Sequence, residues 1–245
     1  MVIVWDISTR KPLHKLKGHT KSLQDLAIDP FSVPEDSSEP GEDLVLFTAS
    51  SDREIRRWHI SVDSAYETSA SLSSPILAHE TSIYKLHFDS SGDLWTASAD
   101  KTAKHLVRDR NWEADTVLPH PDFVRDVVVA DRAGVVITAC RDEEVRAWGL
   151  ASGKLVCTYT GHWEDVTGLV LLSNELEVAS VGIDATVRRW GLRGKDFESY
   201  RERLASSAAG EDVAVNGAKV DAGGGTGLLT ADEEAELADL MDDSD

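Results

Sequence analysis

Residues 161–192, GHWEDVTGLVLLSNELEVASVGIDATVRRWGL, hold a pattern that the upstream chain repeats. The stretch opens near a histidine, His162, passes through two apolar runs, turns at Asp184 and closes on a third run ending at Trp190. His162 and Asp184 are 22 residues apart, and Asp184 and Trp190 are six apart. Four residues before the aspartate lies a hydroxyl side chain, Ser180.

The same residue types recur three times upstream at nearly the same offsets. The step from histidine to aspartate is 22 residues in the third unit, 21 in the second and 33 in the first. The six-residue step to tryptophan is kept except in the second unit, where Leu106 takes that place. The upstream members are His19, Thr48, Asp52 and Trp58; His79, Thr96 and Asp100; and His120, Thr138, Asp142 and Trp148.

This repeat of 41 or 42 residues resembles the WD40-repeat family, which builds β-propellers from four-stranded blades with a period of about 40–45 residues. The resemblance covers residues 1–192, although only Trp5-Asp6 carries the name-giving dipeptide. It implies an all-β WD40 β-propeller that serves as a scaffold for contacts between proteins. A fold alone fixes no chemistry, so any site must be argued from its residues.

Elementary chemistry explains why the four residue types belong together. An unpaired polar group buried in a protein costs roughly 1–3 kcal/mol. A histidine ring can accept from a hydroxyl and donate to a carboxylate, and an indole N–H can donate into the same set. We therefore expect His162, Ser180, Asp184 and Trp190 to form one network, with matching upstream networks and an incomplete one in the unit of Leu106.

Strand and turn patterns divide the repeat region into blades. Residues 2–16 predict the third and fourth strands of one blade; three four-stranded units start near residues 18, 78 and 119; and a unit with three strands starts near 161. Residues 30–43 and 61–74 are expected to be polar insertions in the first complete unit.

These seventeen strands are eleven short of a seven-bladed ring. We therefore expect the C-terminal portion of such a propeller, an incomplete ring with about four blades present. The alternative is a small ring closed by pairing residues 13–16 with the last blade.

The repeat stops after residue 192. Residues 193–206 favour a short helix, residues 207–227 are rich in Gly and Ala and indicate a flexible linker, and residues 228–245 form an acidic, mostly disordered tail that can hold a short helix. In the tail, Leu237, Leu240 and Met241 fall at helical spacing. They suggest a docking motif for a partner's groove, and the alternative is a solubilising tail.

Composition limits the partners and the compartment. The net charge of −19 disfavours nonspecific nucleic-acid binding, because phosphates attract basic surfaces. Cys140 and Cys157 are too few for a secreted disulfide framework. No apolar run approaches a membrane span, and the N-terminus lacks the order of a signal peptide. We expect a protein of the cytoplasm or nucleus whose partners are other proteins, with no membrane and no direct nucleic acid.

Catalytic and cofactor motifs are absent from the sequence. His120, Thr138 and Asp142 superficially resemble a hydrolase triad, but the same trio recurs in every unit, as a structural network would. There is no phosphate-binding loop, dinucleotide fingerprint or zinc-type Cys/His spacing. We therefore expect no catalytic residue, no metal, no cofactor and no small-molecule substrate. One alternative is a propeller enzyme whose site lies in N-terminal sequence outside this chain; another is a peptide- or ubiquitin-recognising adaptor.

In propellers, the loops between blades and the turns between second and third strands share one face. Aromatic and arginine residues are the usual anchors of protein interfaces. The alternative for the aromatic residues is that they pack between blades. The residues we expect to bind partners on this face are Lys21, Asp122, Phe123, Arg141, Trp163 and Glu164.

Overall fold

The computed structural model describes residues 1–32, 44–68, 75–172 and 174–208, with side chains up to residue 206. The chain divides into two units, Met1–Glu202 and Arg203–Asp245. All seventeen strands of the described ranges lie in the first unit. The linker and the tail residues Leu237, Leu240 and Met241 lie outside the described residues.

The strands form antiparallel sheets whose members follow one another in chain order. The N-terminal pair is β1 (Val2–Asp6) and β2 (Lys11–Leu16). Sheet I is β3 (Leu23–Ile28), β4 (Leu44–Ser50), β5 (Ile55–Ile60) and β6 (Ala65–Glu67); sheet II is β7 (Ile83–Phe88), β8 (Leu94–Ser98), β9 (Thr102–Val107) and β10 (Glu113–Pro119). Sheet III is β11 (Val124–Ala130), β12 (Val135–Cys140), β13 (Val145–Gly149) and β14 (Leu155–Tyr159); sheet IV is β15 (Val166–Leu171), β16 (Glu177–Gly182) and β17 (Val187–Gly191).

Burial within each sheet follows from the residues of its strands. In sheets II and III every residue of the second strands β8 and β12 is buried, and apart from Leu94 these strands consist of small, β-branched and aromatic residues. The fourth strand β10 carries mostly exposed residues. The sheets therefore bury both faces near their middle strands, which requires a neighbouring sheet on each side.

Apolar clusters join neighbouring sheets in chain order. One cluster joins sheets I and II around Phe47 and Ile83, and another joins sheets II and III around Trp95 and Trp148. A third joins sheets III and IV, and smaller packing joins the N-terminal pair to sheet I. Hydrogen bonds also link neighbouring sheets. For example, Asp126 of β11 accepts from the backbone N–H of Leu169 on β15 at 2.7 Å.

The all-β fold with several four-stranded sheets confirms the fold class expected from the repeat. The structure corrects the segment 61–74, which we expected to be a polar insertion, because β6 lies inside it and pairs with β5 as the fourth strand. A further isolated bridge joins Ile55 to Ile76. Sheet IV has three strands, and after it helix α1 (Gly194–Ala208) follows.

The start of helix α1 packs on the end of sheet IV within the first unit. Tyr200 stacks edge-on against Tyr159 of β14 and Trp190 of β17. Its hydroxyl donates to the carbonyl of Thr160 at 2.9 Å and accepts from the N–H of the same residue at 2.7 Å. These contacts cover apolar surface of β17 and join the helix to the apolar cluster of sheets III and IV.

Candidate functional site

The repeated polar residues of sheet IV converge on one hydroxyl. His162 Nδ1 lies 2.9 Å from Asp184 Oδ2, and His162 Nε2 lies 2.8 Å from Ser180 Oγ. Trp190 Nε1 donates to the same Oγ at 2.8 Å. Because a carboxylate only accepts, the histidine donates from Nδ1, and Ser180 then donates to Nε2 while it accepts from the indole. Every polar atom of the set thereby has a partner.

Sheets I and II contain the same arrangement. In sheet I, His19 Nδ1 lies 3.0 Å from Asp52 Oδ2 and His19 Nε2 lies 2.8 Å from Thr48 Oγ1, which also accepts from Trp58 Nε1 at 2.9 Å. In sheet II, His79 Nδ1 lies 2.8 Å from Asp100 Oδ2, and His79 Nε2 lies 2.7 Å from Thr96 Oγ1. No indole joins the second network, because Leu106 stands where the others have tryptophan.

Sheet III departs from the expected network at its aspartate. His120 keeps its contact with Thr138 Oγ1 at 2.8 Å, and Trp148 Nε1 donates to that hydroxyl at 2.9 Å. However, His120 Nδ1 lies 3.0 Å from the carbonyl of Leu118 instead of bonding Asp142. Asp142 accepts two bonds from the guanidinium of Arg146, at 3.0 and 2.6 Å.

The environments of these groups shift their pKa values in directions that suit a structural role. Burial alone would raise the pKa of Asp52, but N–H donors of Thr20 and Glu54 and the ring of His19 lower it to about 2. Desolvation and then the charge of Arg146 lower the pKa of His120 to about 4. His120 is therefore neutral and Asp52 is ionised at pH 7.

The triad-like set His120, Thr138 and Asp142 does not have the geometry of a nucleophilic site. Thr138 is fully buried, and its hydroxyl is already bonded to two side chains. The aspartate does not orient the histidine, as a triad requires. Cys140 is also buried, and desolvation raises the pKa of its thiol to about 11. The thiol is therefore protonated at pH 7 and is a poor nucleophile.

The predicted binding residues fall into separate groups in the structure. Arg141, with its side chain 48% exposed, lies with its guanidinium carbon 5.3 Å from the ring centroid of Phe123. Its Nε is 4.0 Å from Asp122 and 3.7 Å from Asp165. The structure thus brings Asp122, Phe123 and Arg141 together and half-buries the phenyl ring. Lys21 and Glu164 are exposed.

Trp163 belongs to a second group on sheet IV. Its indole is 59% exposed, and the guanidinium carbon of Arg188 lies 5.5 Å from the centroid of its ring. Gly161 lies against the same guanidinium with φ of +149°, and an added Cβ there would meet Arg188 Nη1 at 3.1 Å. The glycine thus leaves room for the guanidinium beside the backbone and the exposed indole.

Reading the sequence unit by unit missed Arg188, although a signal for it exists. Each sheet has a cation four residues after the network aspartate: Arg56, Lys104, Arg146 and Arg188. In sheets I and III a glutamate two residues after the aspartate binds that arginine. In sheet II, Lys104 donates to the carbonyl of Ala78 at 2.7 Å. Sheet IV has Thr186 in place of the glutamate, so the sequence already shows an arginine without its acid.

Tyr84, Arg125 and Asp165 are further residues that the sequence did not single out. Arg125 on β11 lies over the ring of Tyr84 on β7 at 4.9 Å and donates to Asp165 Oδ2 at 3.1 Å. Asp165 in turn neighbours Arg141. This chain of contacts joins three successive sheets at the residues next to Phe123, which no spacing within one repeat unit reveals.

Within the ranges that the structure describes, no helix is long and apolar enough to span a bilayer.

Comparison with known proteins gives one matching family model and several individual relatives. The model of the WD domain, G-beta repeat, matches residues 10–59 and 153–191. The chain is 32% identical over 247 residues to the WD repeat-containing protein C126.01c of Schizosaccharomyces pombe, covering 99% of this chain and 58% of that protein. It is 25% identical over 177 residues to pre-mRNA-processing factor 19 of Mus musculus, covering 69% and 30%, and 28% identical over 118 residues to periodic tryptophan protein 2 of Arabidopsis thaliana, covering 46% and 13%. The chain thus spans less than two thirds of each relative.

Proposed function

The chain belongs to the WD40-repeat family, and from this premise we propose that it is a non-catalytic scaffold that holds other proteins together in an intracellular multiprotein complex. Repeated blades bury a shared core and leave loops and turns free to carry contacts. Because many functions share one fold, the proposal depends on the exposed residues and not on the fold alone.

The observation that carries the proposal is the pair of Trp163 and Arg188. Tryptophan and arginine are the residue types most enriched at the energetic centres of protein interfaces. Trp163 is exposed in a protein whose other tryptophans, apart from Trp5, are buried. A large aromatic side chain held in water by a stacked guanidinium is positioned to be covered by a partner.

The chemistry of that partner follows from the charge of Arg188. Among the described residues, no carboxylate lies within ion-pair distance of its guanidinium, whereas Arg56 and Arg146 each bind two acids. An arginine fork suits a carboxylate in two-point contact. We therefore expect an acidic segment of a protein partner to bind beside Trp163.

A second contact group consists of Asp122, Phe123 and Arg141. Its aromatic ring and guanidinium are the same pairing as on sheet IV, although the ring is more buried. The charge of Arg141 is shared with Asp122 and Asp165, so this group is better suited to a polar edge of the interface than to its centre. The tail remains a proposed further contact.

An enzymatic function has no comparable support. The hydroxyls and imidazoles of the repeated networks are bonded to one another, and the two thiols, Cys140 and Cys157, are buried. A peptide-recognising adaptor would use the same exposed aromatic and arginine residues, and is a narrower form of the scaffold proposal.

The test is affinity capture with quantitative mass spectrometry of the captured proteins. Arg188→Glu combined with Trp163→Ala should lose a defined set of proteins that the wild type captures. Arg189→Glu is the matched control, because Arg189 is the next residue on the same strand and its side chain, 66% exposed, pairs with Glu177 and not with Trp163. Capture of the same set by the double variant and the wild type, with normal circular dichroism, would contradict the proposal.

A further inference from the structure

One polar cluster of sheet II lies outside the repeated network. Asp89 and Asp93, at the two ends of the turn between β7 and β8, face His105 on β9. One carboxylate oxygen of each aspartate and one ring nitrogen of the histidine all lie within 4.8 Å of one another. The side chains are largely buried, with exposures of 8%, 20% and 16% for Asp89, Asp93 and His105. The cluster is specific to this sheet, because the positions matching His105 are Arg57, Ala147 and Arg189.

The separations within the cluster suit coordination better than direct hydrogen bonding. His105 Nε2 lies 3.4 Å from Asp89 Oδ2 and 3.6 Å from Asp93 Oδ2. Charge-assisted hydrogen bonds between such groups are about 2.7–2.9 Å long. Ligand atoms around a tetrahedral zinc ion, each about 2.0–2.1 Å from the metal, lie about 3.3 Å apart. The histidine nitrogen is therefore placed as a ligand beside two oxygen ligands.

The atoms that would not touch a metal hold these side chains in place. His105 Nδ1 lies 2.7 Å from Asp115 Oδ1 on β10, so the ring donates there and directs Nε2 toward Asp89 and Asp93. Asp93 Oδ1 accepts from the N–H of Arg108 at 2.7 Å. Metal-binding histidines commonly donate their second ring N–H to a carboxylate, which fixes the tautomer and the orientation.

Asp89 is fixed by three donors. Its Oδ1 accepts from the N–H groups of Ser91 and Asp93 at 2.9 and 3.0 Å, and its Oδ2 accepts from Trp95 Nε1 at 3.2 Å. Asp93 Oδ2, in contrast, has no hydrogen-bond donor in the part of the chain that the structure describes. That oxygen lies 3.6 Å from His105 Nε2.

The charges in the cluster are also unbalanced. Three carboxylates, Asp89, Asp93 and Asp115, surround one imidazole. The nearby guanidinium of Arg108 is already bound to Asp29, at 2.7 and 2.8 Å, and the charge of Arg110 acts on Asp115, which leaves two carboxylates beside the imidazole. A divalent cation would offset this negative charge.

A second histidine-carboxylate cluster, formed by His19, Asp52 and Glu54, is not available to a metal ion. Both ring nitrogens of His19 are occupied, by Asp52 and by Thr48, and Glu54 is bound by Arg56. No lone pair of that histidine is left for a ligand.

We propose that Asp89, Asp93 and His105 bind a divalent transition-metal ion of the zinc type, with Asp115 as the residue that positions the histidine and water in the fourth place. The ligand set, one imidazole and two carboxylates, is one that zinc accepts. The sequence shows no zinc motif, because the ligands come from a turn and from a later strand.

The test is isothermal titration of the chelator-treated full chain with zinc chloride. One saturable site is expected in the wild type. Asp93→Asn and His105→Gln should each weaken binding at least 10-fold, and Asp115→Asn should weaken it about 10-fold through the second shell. Glu54→Gln is the matched control in the other cluster and should bind as the wild type does. Absence of a saturable site in the wild type would overturn the proposal, and so would wild-type affinity for zinc in both Asp93→Asn and His105→Gln.

X-ray absorption at the zinc edge separates this site from binding at the cysteines and does not depend on the variants. The expected spectrum shows one imidazole and otherwise oxygen neighbours at about 2.0 Å. A sulfur shell, or a spectrum with no imidazole, would contradict the assignment. Circular dichroism of each variant without zinc establishes that lost binding is not lost folding.

Discussion

At the scale of single residues, the hydroxyl in each network decides how many buried donors and acceptors are satisfied. Among side chains, Thr48 serves both His19 and Trp58, whereas Thr96 serves only His79. Both threonines are fully buried, so water cannot replace the lost partner. Removing the hydroxyl with a side chain of the same shape therefore leaves different numbers of unpaired groups in the two sheets.

We predict that Thr48→Val lowers the free energy of unfolding by more than Thr96→Val does. Each unpaired buried group costs about 1–3 kcal/mol, and the first variant leaves the indole of Trp58 unpaired in addition to the histidine. The difference should therefore be about 1–3 kcal/mol, measured by urea unfolding at pH 7. Equal losses in the two variants would show that the indole contributes no net hydrogen bond.

Asp126 is a residue whose protonation should affect stability. Burial raises its pKa to about 6, against about 3.9 in an unfolded chain. A folded pKa above the unfolded value gives stability that is present at low pH and is lost as the pH rises toward 6. The ionised carboxylate accepts from the N–H groups of Leu169 and Val127 and lies near Lys85, but the cost of its burial outweighs these contacts.

We predict that Asp126→Asn becomes more stable than the wild type as the pH rises from 4 to about 6, with no further change above. The amide carries no charge and keeps an oxygen for Leu169, while its NH2 group faces the N–H of Val127, a cost that does not change with pH and therefore leaves the pH trend intact. Each pKa unit corresponds to about 1.4 kcal/mol, so the relative gain should be on the order of 2–3 kcal/mol. Urea unfolding at pH 4.5 and pH 8 measures it, and an equal difference between the two proteins at both values would contradict it.

At the scale of elements, the turn between second and third strands is the most regular part of the repeat. The residue after each network aspartate has a left-handed φ: +69° at Arg53, +68° at Lys101, +72° at Glu143 and +59° at Ala185. In sheet IV the aspartate itself supports this turn, since Asp184 Oδ1 accepts from the N–H of Thr186 at 3.0 Å. A left-handed conformation costs a residue with a Cβ about 1–2 kcal/mol.

Ala185→Gly should therefore stabilise the protein by roughly 0.5–1 kcal/mol, after the greater entropy of unfolded glycine is subtracted. The control is Ala179→Gly inside β16, which should destabilise by a similar amount because a strand interior gains nothing from glycine. Thermal unfolding followed by circular dichroism measures both. Destabilisation by both substitutions would show that the turn is not strained.

A second feature at this scale is the contact between sheets I and II. Arg108 makes two bonds to the buried Asp29 and lies over the ring of Trp112 at 4.9 Å. Asp29 is 5% exposed, so the guanidinium takes the place of water as its hydrogen-bond donor. A lysine keeps the charge but cannot form the two-point contact or stack.

Arg108→Lys should lower the free energy of unfolding by about 1–2 kcal/mol, as expected for the loss of charge-assisted hydrogen bonds. Arg189→Lys, which alters an exposed pair with Glu177, should change it by less than about 0.5 kcal/mol. Urea unfolding of the two variants side by side measures the contrast. A loss in Arg108→Lys no larger than in Arg189→Lys would contradict a buried clamp.

Elements also show what the sequence can and cannot predict. The strands of sheets II and III follow from apolar runs between turn residues, because those runs are buried on both faces. The strand β6 escaped prediction, since Ala65–Glu67 is three residues long and lies in a polar segment. The sequence also did not predict that Asp142 binds Arg146. In sheet I, Arg56 binds a second acid, Glu67, on the neighbouring strand β6. In sheet III, Arg146 lies opposite Thr158, which carries no charge, and it binds Asp142 instead. Which acid an arginine binds depends on the residue opposite it on the neighbouring strand, and the spacing of residues within one repeat unit does not give that information.

At the scale of the whole molecule, the buried apolar clusters that stabilise the described fold lie in the first unit. All of their members lie between Val2 and Tyr200, within Met1–Glu202. The charge is distributed differently, because residues 209–245 hold eleven acids and one lysine, which gives −10 of the net −19. Stability and about half of the net charge thus belong to different parts of the chain.

A variant that ends at Ala208 should therefore keep the melting temperature of the full chain within about 2 °C, because less than 1 kcal/mol of stability is removed. Its net charge falls in magnitude from −19 to −9, by subtraction of −10. The same variant separates the two proposed contacts in affinity capture: proteins that it loses bind through the tail, and proteins that only Arg188→Glu/Trp163→Ala loses bind at the exposed indole. A drop in melting temperature of more than about 5 °C would contradict the assignment of stability to the first unit.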